Sequence, residues 1–200
     1  MVKFPDDYYE RMFQTVRALS VTDRSGRELT LQQGIEEAVR IILSRSSSGG
    51  TVMFIGNGGS AAIASHMATD FSKNGGVKAM AFNDASLLTC LGNDYGYSHV
   101  FEKPVEIYAS EGDVLIAISS SGRSENILLG VAAARDKGCR VITFSGFDHG
   151  NPLSSLGDVN FYVPSHIYGF VEVLHHSLCH CLLDTILSSD EKGGCTHRTA

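Results

Sequence analysis

Two hundred residues, a formal net charge of −6 and 43% hydrophobic content suffice for one packed domain, or one domain with a helical extension. The acidic balance and the absence of any Lys/Arg cluster exclude a nucleic-acid-binding surface. They leave a phosphate ligand open, because backbone N–H groups, hydroxyls and helix dipoles hold a phosphate without a field of lysines. No apolar run approaches the about 18–20 residues of a membrane span, so none is expected. The charged start (Lys3, Asp6, Asp7, Glu10, Arg11) speaks against a signal peptide. Five cysteines are scattered, with Cys90, Cys139 and Cys179 in apolar surroundings that read as core. Reduced thiols and a cytoplasmic location are expected rather than disulfides.

In chain order, residues 6–19 and 28–43 predict two amphipathic helices separated by a polar stretch at 22–27. In the second, Leu31, Ile35, Val39 and Ile42 recur at helical spacing. Residues 46–50 (SSSGG) form a loop by composition. The chain then alternates: strand 51–55, helix 61–72, strand-like 78–82, a helical or irregular stretch 86–109, strand 114–118, helix 124–137 and strand 140–144. A loop around Asp148–Pro152, a short strand 159–163 and a last helix, 169–187, complete the pattern. Continuous apolar strands alternating with helices predict an α/β domain, doubly wound, with a mostly parallel sheet of about five strands flanked by helices. The expected organisation is N-terminal oligomerisation helices at 1–45, a ligand-binding domain at 46–187 and a disordered polar tail at 188–200.

Two strand-to-helix turns carry the functional signal. Gly56-Asn57-Gly58-Gly59-Ser60 follows the first apolar strand and opens a helix, so glycine backbone and helical N–H groups are poised around an anion. Ser119-Ser120-Ser121-Gly122-Arg123-Ser124 does the same after the strand at 114–118. Ligands in parallel sheets bind beyond the carboxyl ends of the strands, where both turns fall. Ser60, Ser119, Ser121 and Ser124 either cap the following helices or hold a ligand, and two such turns together point to a phosphorylated small molecule. A nucleotide is disfavoured: the first turn lacks G-x-G-x-x-G spacing and no P-loop lysine follows.

Together with His66, Gly92-Asn93-Asp94 and His180, in this order, these motifs resemble the sugar isomerase (SIS) domain, and within it the phosphoheptose isomerases. The resemblance covers roughly residues 30–187. It implies a homotetramer with sites between subunits, conversion of sedoheptulose 7-phosphate to the aldose heptose 7-phosphate, and in several members a bound zinc, one per subunit. The chemistry of the residues agrees. An aldose–ketose interconversion runs through an enediol and needs a base, an acid and stabilisation of an oxyanion. His66 and Asp70 are four apart on one helix; Glu172, His176 and His180 step by four along the last helix, with His175 beside them. Imidazoles and carboxylates on two rigid helices suit a zinc-type ion.

The resemblance maps His66, Asp70, Glu172 and His180 onto metal positions, with Asp70 and His180 as the proton-transfer pair. It assigns substrate contacts to Asn57, Gly58, Gly59, Ser60, Asn93, Asp94, Ser119, Ser120, Ser121, Ser124 and Glu172, and none to His176. Two residues depart from the family pattern: Asp70 stands where the family base is usually Glu, and Glu172 where it usually has Gln. These departures keep a second reading in play, a non-catalytic SIS module that senses a phosphosugar or assembles with a protein. Arg123 is read as a solvated loop residue or a phosphate contact, Cys179-His180-Cys181 as core packing, and His99, His149, His166 and His197 as structural or surface residues.

Overall fold

A computed structural model of the chain describes residues 5–192. Its elements are α1 (Asp6–Arg17), β1 (Ser20–Asp23), β2 (Glu28–Leu29), α2 (Leu31–Ser46), β3 (Val52–Gly56), α3 (Gly59–Lys73), β4 (Ala79–Ala81), α4 (Ala85–Tyr95), α5 (Glu102–Tyr108), β5 (Val114–Ser119), α6 (Glu125–Asp136), β6 (Arg140–Gly146), β7 (Val159–Val163) and α7 (Tyr168–Lys192). The strands form one sheet in the order β2-β1-β7-β6-β5-β3-β4. From β7 to β4 every neighbouring pair is parallel, as the run of apolar strands requires.

The sheet has seven strands rather than about five. The two extra strands are a small hairpin laid antiparallel on β7, with Val21 opposite Phe161 and Leu29. It occupies the stretch read as a polar connector and the start of the second helix. The hairpin turn is held by Asp23, whose Oδ1 accepts from the Ser25 and Arg27 backbone N–H groups, and by Gly26 at φ +84°. Helix α2 therefore begins at Leu31, where Thr30 and Gln33 form a reciprocal capping box. Its buried side chains join the main core, and α1 packs on α7, with the Tyr8 ring edge-on to buried Phe170 at 4.7 Å.

Alternate residues of the central strands face two layers. Phe54, Ile116, Ile118 and Phe144 pack with α2, α3 and α7. Met53, Ile55, Leu115 and Val141 pack with α4, α5 and α6. Each fully buried side chain of this kind contributes roughly 1.5–3 kcal/mol, which is why strands this apolar are covered on both faces. Chain direction across the sheet reverses between β3 and β5: β4 lies on one side of β3, and β5, β6 and β7 follow on the other. That is the topological switch point of a doubly wound sheet.

Helix α7 runs to Lys192 instead of ending at 187, so residues 188–192 of the expected tail are helical and 193–200 lie outside the described residues. By length and mean hydropathy Tyr168–Ser189 is apolar enough to cross a membrane, contrary to the expectation from apolar runs, but 50% of that window is buried inside the domain. Leu174, Leu178, Leu182, Leu183 and Ile186 belong to the protein core, and Glu172, His175, His176 and His180 interrupt the apolar surface. Cys139 and Cys179 are buried free thiols as expected, whereas Cys90 is exposed. It lies one turn before Asp94 on the outer face of α4 and donates to that carboxylate at 3.6 Å.

Candidate functional site

The two strand-to-helix turns meet at the switch point. Gly56 and Ile118 are register partners at the ends of β3 and β5, so the loops that follow emerge side by side. In the glycine turn, a Cβ on Gly56 would lie 2.5 Å from the Ser60 carbonyl oxygen, so only glycine permits the bend. Gly58 sits at φ +55° and caps α3 without a side-chain bond, the Ser60 and Ala61 N–H groups donating back to the Asn57 and Gly58 carbonyls. Ser60 is buried. In the serine turn, Gly122 sits at φ +62°, and the space a side chain would need is filled by Asn151.

Four hydroxyls line the serine turn. Ser119 and Ser120 are buried, and Ser121 and Ser124 are half-buried. Ser119 Oγ accepts from the Gly122 N–H at 3.2 Å and lies 3.5 Å from Ser124 Oγ; Ser121 Oγ accepts from the Arg123 N–H at 3.3 Å. Ser124 occupies the N-cap of α6 yet makes no side-chain cap hydrogen bond. Its hydroxyl is therefore not spent on the helix, which favours the ligand-holding reading over the capping one.

A reciprocal amide pair ties the turns together. Asn57 Nδ2 donates to Asn126 Oδ1 and Asn126 Nδ2 donates to Asn57 Oδ1, both at 2.9 Å, and Tyr97 Oη donates to Asn57 Oδ1 at 3.1 Å. Asn126 lies in the first turn of α6 and is buried. Neither Asn126 nor Tyr97 stood out in the sequence. A polar residue at the start of an apolar helix was the available signal for Asn126.

On the far side of the glycine turn, α3 faces α7. The Glu172 carboxylate fills the space beside Gly59 Cα, at the positive end of α3. One and two turns further along α7 come His176 and His180. Opposite them on α3 are His66 and Asp70, with His66 Nε2 3.2 Å from Asp70 Oδ2. Ring centroids are 4.8 Å apart for His66 and His176, 5.4 Å for His66 and His180, and 4.7 Å for His176 and His180. Burial first, then the His180 and His66 imidazoles, lowers the pKa of His176, against an upward pull from Asp70. His175 points the other way. It is fully buried, its Nε2 lies 3.0 Å from the Ser145 carbonyl oxygen and its ring meets Phe144 edge-on. Burial pulls its pKa down to about 4.

The structure thus brings His66, Asp70 and His180 together, and it sets the glycine turn beside the serine turn, joined through the Asn57–Asn126 amide pair. Glu172 lies at the border between these groups. Asn93 and Asp94 are exposed at the end of α4, hydrogen-bonded to each other and, for Asp94, to Cys90; among the described residues no hydrogen bond joins them to either turn. Arg123 is exposed and lies 3.6 Å from Asp148, as a solvated loop residue would. Neither Cys179, buried in the core, nor exposed Cys181 joins the imidazoles. The imidazole corner suits a zinc-type ion. The nitrogen donors of His66, His176 and His180 come within 4.8 Å of one another, and the buried Nε2 of His176 has no hydrogen-bond partner among the described residues.

Comparison with known proteins agrees with this geometry. A model of the SIS domain family matches residues 20–146. The phosphoheptose isomerase of Aliarcobacter butzleri is 38% identical over 169 residues, covering 80% of this chain and 88% of the relative. That of Helicobacter hepaticus is 39% identical over 174 residues, covering 84% and 88%. Among solved structures, a phosphoheptose isomerase from Francisella tularensis superposes with a TM-score of 0.79 at 30% identity, covering 92% of this chain and 96% of that one. The enzyme from Neisseria gonorrhoeae gives 0.78 at 31% identity, covering 90% and 95%. With a family match over more than half its length and relatives this similar along most of theirs, the chain belongs to the SIS domain family and, within it, to the phosphoheptose isomerases.

Proposed function

We propose that the protein isomerises a seven-carbon sugar phosphate, interconverting sedoheptulose 7-phosphate and the aldose heptose 7-phosphate through an enediol. The observation that supports this reading is the adjacency of two different turns, joined through Asn57 and Asn126, with the imidazole corner where the helix that the first turn opens faces α7. The serine turn holds the phosphate, with the hydroxyls of Ser119, Ser120, Ser121 and Ser124 and the N–H groups at the start of α6 as donors. Ser60 and the N-terminus of α3 line the glycine side. Asn57, held by Asn126 and Tyr97, orients the chain of hydroxyls between the two ends. Glu172 disfavours a phosphate at the glycine turn, and the sugar is thereby bound in one direction.

At the reactive end, Asp70 removes a proton from the carbon beside the carbonyl while His180 donates one to the carbonyl oxygen, giving the neutral enediol. Asp70 then returns its proton to the former carbonyl carbon as His180 takes one from the neighbouring hydroxyl, so atoms and charge balance. A zinc ion at this corner, which the resemblance places on His66, Asp70, Glu172 and His180, would polarise the carbonyl oxygen and lower the cost of an enediolate. The reading of a non-catalytic sensor gains little from this arrangement, since a sensor has no use for a carboxylate and an imidazole aligned across the sugar's carbonyl end.

We further propose self-association through α1, where Tyr9, Phe13 and Val16 recur at helical spacing and are 54%, 60% and 38% exposed. The buried free thiols of Cys139 and Cys179 support a reducing, cytoplasmic setting. An aldose–ketose assay with sedoheptulose 7-phosphate and shorter sugar phosphates tests the function. Turnover restricted to the heptose is expected, and a zinc-loaded protein inert on all of them overturns the proposal. Sedimentation of Phe13→Asp against the unchanged protein tests the association, with a smaller particle expected.

A further inference from the structure

The ligand set carried over from the family omits one residue that the fold places at its centre. His176 and His180 occupy successive turns of α7 on the face that meets α3, and both lie against His66. Among the described residues, His66, His176 and His180 form the one group of three metal-ligating side chains with all donor atoms within 4.8 Å of one another. Glu172 is outside that group, its carboxylate seated against Gly59 a full turn earlier on α7. A second observation is independent of this spacing: the Nε2 of His176 is shielded from solvent and has no hydrogen-bond partner among the described residues. A ring nitrogen taken from water and given no partner is a cost that native structures rarely leave standing. A packing role for the ring would be served by an apolar side chain at no such cost.

We propose that His176 is a metal ligand in this chain, so that His66, His176 and His180 hold the ion and Glu172 is left to the sugar. The inference rests on the reading of this corner as the isomerase's metal centre and changes its composition. Three imidazoles with one open position form a donor set typical of catalytic zinc. Donors bound to a tetrahedral zinc at about 2.1 Å lie about 3.4 Å apart, a contraction that side-chain rotation on fixed helices supplies. Two consequences follow for Asp70. Its Oδ2 stays 3.2 Å from His66 Nε2, where carboxylates behind a ligating imidazole commonly lie. It is also spared direct coordination, which would weaken it as a base.

The test reads metal binding rather than turnover. Unchanged protein, His176→Gln and Glu172→Gln are stripped of metal, checked for equal apo melting temperatures, and titrated with Zn2+ against a chromophoric chelator. Each is then loaded with Co2+ and its visible absorption recorded. His176→Gln is expected to lose at least tenfold in zinc affinity and to show an altered cobalt spectrum, with Glu172→Gln staying within about threefold of the unchanged protein. Should His176→Gln melt early, diethyl pyrocarbonate labelling of the unchanged protein with and without Zn2+ replaces it, with zinc protection of His176 expected alongside His66 and His180. Wild-type affinity and spectrum in His176→Gln, unprotected His176, or no zinc binding by the unchanged protein would each overturn the inference. A protein that binds zinc through His176 but isomerises no heptose phosphate overturns the functional proposal alone. One that isomerises while Glu172→Gln, and not His176→Gln, loses zinc overturns this inference alone.

Discussion

The glycine turn and the serine turn are neighbours built on the same plan, yet they present opposite faces to a ligand. Each follows a central strand, opens a helix and contains a glycine whose side-chain space is already taken. At Gly59 the occupant is the Glu172 carboxylate; at Gly122 it is the neutral amide of Asn151. One turn offers four hydroxyls, the other a single buried serine. The acidic residue in the first turn of α6, Glu125, is exposed. Equal helix dipoles therefore do not make equal anion sites. A dipole contributes about 0.3–1 kcal/mol near a helix end, an amount that one facing carboxylate cancels and a set of converging hydroxyl donors exceeds. On the proposed reading, this difference is what gives the bound sugar phosphate one direction.

The largest effect is expected at the reactive end. His180→Asn and Asp70→Asn should each lower kcat by roughly 10²- to 10⁴-fold, the usual span for a general acid or base. Both residues are only partly buried, so melting temperature should change little. A comparable loss in thermal stability would mean that the residues serve packing instead. Next comes the serine turn. Ser121→Ala combined with Ser124→Ala should raise KM about 10- to 100-fold and change kcat less, because the phosphate contacts persist unchanged from substrate to transition state. An unaltered KM would return these serines to a purely helix-initiating role.

A smaller effect is expected where the two turns are joined. Asn126→Leu removes one half of the amide pair and strands the Asn57 side chain, for a loss of about 1–2 kcal/mol in urea unfolding. Because Asn57 then loses its fixed orientation, kcat/KM should fall further than stability alone explains. Asn57→Ala in the same background should add almost nothing, since the two residues act as a unit. Additive losses would show that the turns are positioned independently.

How much of this was legible in the sequence follows from how local each feature is. Both turns are contiguous, and the glycine and hydroxyl spacing of each reads directly. The parallel core reads equally well, because strands covered on both faces are apolar throughout. The hairpin at 20–29 escaped notice because strands of four and two residues are too short for a period to declare itself. Cys90 looked like core because its neighbours are apolar, but the period of α4 turns it outward beside Asp94. The Asn57–Asn126 pair joins residues 69 positions apart, and nothing in either segment points to the other. His176 had the right helical phase from the start; only the packing of α3 against α7 shows that the phase leads to His66 rather than to the core.

The smallest effect bears most directly on the contrast between the turns. Glu172→Gln keeps the shape of the side chain beside Gly59 and removes its charge. If the carboxylate is what denies the glycine turn to anions, the first helical turn of α3 becomes available to phosphate once the charge is gone. Inorganic phosphate should then bind the variant about two- to fivefold more tightly than the unchanged protein, the equivalent of about 0.3–1 kcal/mol for a charge at a helix terminus. A second phosphate per chain should appear in calorimetric titration, and the heptose phosphate should begin to inhibit at high concentration by entering backwards. The effect should weaken as salt is raised, since the site is partly open to solvent. Unchanged stoichiometry with unchanged affinity would assign the direction of binding to the hydroxyls of the serine turn alone, and Glu172 would then matter only for the sugar it faces.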